Sequence, residues 1–145
     1  MIDGVVYTPL LRIEHPKGDI LRGLKVSEPS FTSFGEAYFS SITNGEIKGW
    51  KKHREMVLNL IVPVGSIKFV IYDDRPNSGT HGQFSHFILN PDNYGRLTVP
   101  QGVWLAFQGV GTDLNLLLNI ASIEHAPEES ISQQIDSIEY DWSCE

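Results

Sequence analysis

Lys51 and His53 are the pair of side chains whose types and spacing most directly suggest chemistry. Two residues apart on an extended strand, they leave one face, while Lys48, Trp50, Lys52 and Arg54 leave the other. Histidine is the side chain best suited to moving protons near neutral pH. Lysine can join it in an acid–base pair where burial or neighbouring cations, here Lys52 and Arg54, disfavour its charge. The plainer reading is a solvated lysine beside a hydrogen-bonded histidine. Lys17, Lys48 and Lys68 could act as point charges for a diphosphate, or as ordinary surface lysines. Asn59 interrupts an apolar run, so its amide needs partners, either a loop or a sugar hydroxyl. Glu36 sits in a β-rich segment and calls for a nearby cation, Arg22 or a pocket lysine. Tyr38, Tyr72 and Trp104 could line a pocket or stack on a base. His81 and His86 belong to no motif.

The elements that must position these groups read as strands. Gly45 to Gly65 carries a glycine turn, the cationic cluster and a nearly apolar strand, Met56 to Val64. Before it, Ile2 to Ile13 reads as an opening strand, 15–19 as a turn, and Ile20 to Val26 and Glu36 to Ile42 as strands. Thr43-Asn44-Gly45-Glu46 matches a tight hairpin turn. After it, strands are expected at 67–72, 83–89, 96–99, 103–107 and 114–122, separated by glycine and proline turns. From His125 the chain is an acidic tail with room for one short helix, and Tyr140 and Trp142 are expected to pack back on the body. With turns about every ten residues and no sustained 3.6-residue period, the pattern predicts an all-β sandwich or barrel. At 145 residues it reads as a single domain, 1–145, with a real core.

The formal net charge is −7, which argues against nucleic acid as a partner. Five of the 11 Lys and Arg nevertheless fall between Lys48 and Lys68, a pattern suited to a local anion pocket. The single cysteine, Cys144, allows no intrachain disulfide. No apolar run approaches the length of a membrane span, and the start lacks the features of a signal peptide. The expected setting is cytoplasmic, without a membrane partner. A dinucleotide fingerprint, a phosphate-binding loop and a nucleophile elbow are absent.

Gly45, five residues, Lys51-x-His53 and then Gly65 resemble the first motif of the cupin barrel, and Pro100-Gln101-Gly102 resembles the second. Within the cupins the chain is similar to the dTDP-4-dehydrorhamnose 3,5-epimerase family. The matching pieces are 34–40, 47–53, Leu58-Asn59, 68–75, 99–104, 107–112 and Tyr140-Asp141-Trp142, in order along nearly the whole chain. The resemblance implies a double-stranded β-helix, or jelly roll, that pairs as a homodimer by strand exchange. It also implies a dTDP-linked nucleotide-sugar substrate with no cofactor. Cupin metal ligands would fall at Lys51, His53, Leu58 and Leu105; with one histidine among them, no metal is expected. The family's arginine falls at Lys48, its base at Lys51, its enolate lysine near Leu58 and its tyrosine near Leu118.

The leading expectation is a metal-independent epimerase or isomerase of a 4-keto-6-deoxy sugar nucleotide, working in polysaccharide or deoxysugar synthesis. A 3,4-ketoisomerase would use the same enolate logic. Lys51 and His53 would move the proton, while Lys17, Glu36, Lys48, Asn59 and Trp104 would contact substrate. The alternative is a non-catalytic cupin that binds a sugar nucleotide or a partner glycan enzyme.

Overall fold

Short alternating runs between turn residues give strands that, from β4 onward, mostly alternate between two sheets, with β7 and β8 paired in one. The computed structural model describes residues 1–143; Cys144 lies outside the described residues. The strands are β1 (Val6–Pro9), β2 (Arg12–Ile13), β3 (Ile20–Leu21), β4 (Glu36–Ser41), β5 (Ile47–His53) and β6 (Leu58–Val64). They continue as β7 (Ile67–Tyr72), β8 (Phe84–Leu89), β9 (Gly95–Val99), β10 (Trp104–Gly109), β11 (Leu116–Ala121) and β12 (Ser130–Ser132). One five-stranded sheet has the order β1-β9-β6-β11-β4, a second has β12-β5-β10-β7-β8, and β2 pairs with β3 in a small ribbon. The named strands pair antiparallel throughout. The architecture is the expected all-β jelly roll.

Several expectations change. Ile2 to Ile13 is divided into β1 and β2, and of Ile20 to Val26 only Ile20–Leu21 is strand. The turn at 43–46 forms, with the Glu46 N–H donating to Thr43 O at 3.1 Å. Yet β4 and β5 lie in different sheets, so it is a crossing between layers and not a hairpin. Short-range turn chemistry was right, and the pairing partner was decided by tertiary packing. The tail also differs. It forms two short 3₁₀ turns, Pro127–Glu129 and Ile135–Ser137, with β12 between them added to the edge of β5.

Inward residues of both sheets make the main core, including Leu58, Leu60, Phe69, Ile71, Leu97, Leu105 and Leu117. A second cluster, Trp50, Val70, Trp104 and Ala106, is covered by Ile131, Ile135, Ile138, Tyr140 and Trp142. The Trp50 indole donates to Ile135 O at 3.1 Å, and its ring centroid stands 6.0 Å from that of Trp142. Tyr140 and Trp142 therefore pack back as expected, and they form an outer layer on the second sheet. On the first sheet the segment 22–35 has the same covering role. Fully buried Arg96 donates to Gly23 O and to the Glu28 carboxylate, and Asn59 donates to Ser30 O at 3.2 Å.

A bulge in β5 sets the directions of its side chains. Leu105 pairs with Lys51 and Phe107 with Lys48, so Gly49 and Trp50 together oppose the single residue Ala106. One extra residue reverses the alternation. Lys48 consequently joins Lys51 and His53 on the inner side, contrary to the regular-strand expectation, while Trp50 turns to the outer cluster. Gly49 is required at this point. Its φ is +145°, and a Cβ there would lie 2.4 Å from the Ala106 Cβ. Gly45 has φ +82° but faces open space. Gly49→Ala is therefore expected to cost roughly 2–4 kcal/mol, from backbone strain plus overpacking. Gly45→Ala should cost about 1 kcal/mol, from strain alone. Equal midpoints in urea unfolding would show that the bulge does not need its glycine.

Candidate functional site

Between the two sheets, where β4 ends the first and β5 with β12 ends the second, a cavity of about 370 Å³ opens. The first sheet supplies Tyr38, Ser40, Leu58, Leu60, Leu117 and Asn119 to its lining. From the second come Lys48, Gly49, Trp50, Lys51, His53, Leu105, Phe107 and Ser132. The floor is apolar and the polar groups are few, which is the usual make-up of a small-molecule site.

Of the residues expected to do chemistry or bind substrate, the fold brings Lys48, Lys51 and His53 together here. The other four stand outside the lining. Lys17 is exposed in the β2–β3 connection. Glu36 accepts a 3.0 Å bond from the His125 backbone N–H, so its partner is neither Arg22 nor a lysine. Asn59 lies between the inward Leu58 and Leu60 and faces the other way, donating to Ser30 O and accepting from Thr98 Oγ1 at 2.7 Å. It ties the 22–35 segment to the sheet. Trp104 likewise faces away from Leu105, donating to Asp74 Oδ2 at 2.8 Å beneath the Lys52 ammonium. Asp74 also accepts from Lys52 at 2.6 Å. Burial opposes the Asp74 charge, but these bonds and the Lys52 charge outweigh it and lower its pKa. Lys52 thus serves the outer face. Lys68, read as either a diphosphate contact or a surface lysine, is buried outside the cavity lining with its ammonium 5.4 Å from the Tyr140 ring centroid.

Leu58 and Leu105 line the cavity with hydrocarbon where cupin metal ligands would stand, and among the described residues no three His, Cys, Asp or Glu side chains converge. On β11 it is Leu117 and Asn119 that face inward. Leu118 lies between them on the other face, so the position matched to the family's tyrosine points away from the cavity.

The residue that sequence reasoning missed is Glu129. Its Oε1 lies 2.6 Å from His53 Nδ1, and its Oε2 accepts from the backbone N–H of Glu55 at 3.0 Å and of Met56 at 2.9 Å. Burial pushes the carboxyl up; the His53 bond, the two N–H donors and the His53 charge together pull it further down, below the ordinary glutamate value. A carboxylate acceptor places the proton of the imidazole on Nδ1 and leaves Nε2 as the acceptor. The proline that opens the turn at Pro127 and the short alternating Ser130-Ile131-Ser132 were the available signals for this segment.

The chain matches no family model. It is 32% identical over 114 residues to the probable low-salt glycan biosynthesis epimerase Agl13 of Haloferax volcanii, covering 75% of this chain and 73% of that protein. Along its whole length it is 25% identical to the spore coat polysaccharide biosynthesis protein SpsL of Bacillus subtilis, covering 99% of that protein. Among solved structures, a dTDP sugar isomerase from Desulfovibrio desulfuricans superposes with a TM-score of 0.93 at 34% identity, covering 98% of this chain and 92% of that one.

The lowered carboxyl of Glu129 has a signed consequence for stability. Its contribution is fully present above the ordinary value of 4.5 and is lost as pH falls through the lower folded value. Glu129→Gln should cost roughly 1–3 kcal/mol at pH 7 and flatten the loss of stability on acidification. Urea unfolding at pH 7 and pH 4 checks this, and parallel acid profiles for both proteins would remove Glu129 from the account.

Proposed function

Since the chain belongs to the dTDP-4-dehydrorhamnose 3,5-epimerase-like family of cupins, we propose that it is an epimerase or isomerase of a dTDP-linked 4-keto-6-deoxy sugar, serving glycan or polysaccharide synthesis. The observation that carries the reading is the His53–Glu129 pair at 2.6 Å, aimed into a cavity rimmed by Lys48 and Lys51. A carbon next to a ketone gives up a proton when a positioned base takes it and the oxygen receives the charge. His53 Nε2 takes the proton, with Glu129 holding the imidazole and supporting its positive form. The Lys51 ammonium faces the enolate oxygen. Lys48 donates to Ser41 O at 2.6 Å and to Ser40 Oγ at 3.4 Å, so its charge is fixed at the rim for the diphosphate. Leu58, Leu60, Leu105 and Leu117 give the deoxy carbon an apolar seat. Every step is proton transfer, supplied by this chain's own side chains. We further propose that residues 1–145 form one domain, that two copies pair, and that the protein works in the cytoplasm.

The experiment is proton exchange in deuterated water with a dTDP-4-keto-6-deoxy sugar, followed by NMR at carbons 3 and 5. Wild-type protein should take up deuterium. His53→Ala should slow uptake by roughly 10²–10⁴-fold, and Lys51→Met by about 10²-fold. Glu129→Gln, whose amide N–H would face Nδ1, should move the ring proton to Nε2 and slow uptake by roughly 10²–10⁴-fold with little change in KM. Saturable binding without uptake would instead support the non-catalytic sugar-nucleotide binder.

A further inference from the structure

The first-sheet wall of the cavity holds a polar atom that the fold itself does not satisfy. Asn119 on β11 stands opposite Tyr38 on β4 and Leu60 on β6, and all three line the cavity. Its amide N–H donates to the Tyr38 hydroxyl oxygen at 3.0 Å, which fixes the orientation of the amide. Asn119 is 3% exposed, and among the described residues its Oδ1 has no hydrogen-bond partner. Leu58, Leu60 and Leu117 share this wall and offer only hydrocarbon. Asn59 and Asn115 are buried to the same degree, yet both ends of each amide are bonded. Buried polar atoms are as a rule paired, because an unpaired one carries the full cost of lost hydration. The exception here is the buried asparagine that faces the cavity.

We infer that Asn119 is a specificity-determining residue, whose Oδ1 accepts a hydrogen bond from a ring hydroxyl and so selects hydroxylated over deoxygenated sugars. The inference rests on the nucleotide-sugar reading and deepens it by naming what the substrate must carry. It concerns selection alone and adds no chemical step. A hydroxyl suits the place because it both donates and accepts. It can give its hydrogen to Oδ1 and take one from the Tyr38 O–H, whose hydrogen the Asn119 bond does not use. An ammonium would satisfy Oδ1 but leave the phenol without an acceptor, and it would face Lys48, Lys51 and His53 across the cavity. A ring with no hydroxyl at this position would shut Oδ1 against hydrocarbon. Sites that bond a substrate hydroxyl reject the analogue lacking it far more strongly than apolar pockets reject an added group. Tyr38 is a positioning residue in this account, since its oxygen decides which branch of the amide turns inward.

The test compares dTDP-4-keto-6-deoxyglucose with its 2-deoxy and 3-deoxy counterparts in deuterated water. Uptake at carbon 5, present in each sugar, gives kcat/KM for each. Wild-type protein should favour the parent over at least one counterpart by roughly 10²-fold or more. Asn119→Leu, close in volume but without polar atoms, should bring that ratio to within about threefold of unity. Tyr38→Phe releases the amide to turn and should reduce the ratio by roughly tenfold. Equal kcat/KM for all the sugars in the wild type would overturn the assignment and leave the proposed function standing, and this comparison needs no variant. An unchanged ratio in an Asn119→Leu protein with wild-type near-UV circular dichroism would also overturn it, because another group would then read the hydroxyl. Absence of uptake from every sugar by the wild type would overturn the proposed function and this assignment together.

Discussion

The contact between the Gly49 backbone and Ala106 is the constraint on which the site depends. Because β5 carries two residues there against one on β10, its two ends present opposite parities to the cavity. Lys48 before the bulge and Lys51 and His53 after it all turn inward. The same extra residue sends Trp50 outward, where its indole and ring become the anchor of the C-terminal segment. That segment then lays β12 along β5 and delivers Glu129 to His53. One local irregularity thus controls the cation cluster, the outer cluster and the dyad.

Charge is arranged with the same economy. The chain is acidic, with net charge −7, yet its cavity is rimmed by lysines and its histidine is backed by a carboxylate. Other cations of the region are employed elsewhere. Lys52 is held by Asp74, Arg54 donates to Glu128 O at 3.1 Å, and Arg96 secures Glu28. What remains facing the cavity is a short column of positive charge on one wall and neutral polar groups on the other. A ligand with a negative end and a hydroxylated body suits that division.

Much of the fold was legible because its signals are local. Alternation located the strands, and glycine and proline located the turns. Features decided by distant packing were not. Met56 to Val64 showed that Asn59 must be satisfied, but periodicity could not say on which side, and the answer came from Ser30 and Thr98. The pairing of 43–46 depended on which sheet each flanking strand joined. Lys48 was assigned to the wrong face because a bulge is invisible to a count by twos. Tyr38 was named as a pocket residue, but its partner Asn119 was not, since the pairing needs the β4–β11 register. Glu129 lies 76 residues from His53 and sits in what reads as a solvated acidic tail.

The covering of the second sheet by residues 127–142 has a consequence for the order in which the protein becomes competent. A nascent chain that has emerged through Ala121 already contains every strand of the first sheet and four of the five in the second. It holds His53 without its carboxylate, the edge of β5 is unpaired, and Trp50 is open to water. When the next segment, through Trp142, emerges, one docking event seals the strand edge, buries the indole and sets the imidazole. The last edge of the second sheet, the cover of Trp50 and the carboxylate of His53 therefore all arrive in the same stretch of chain.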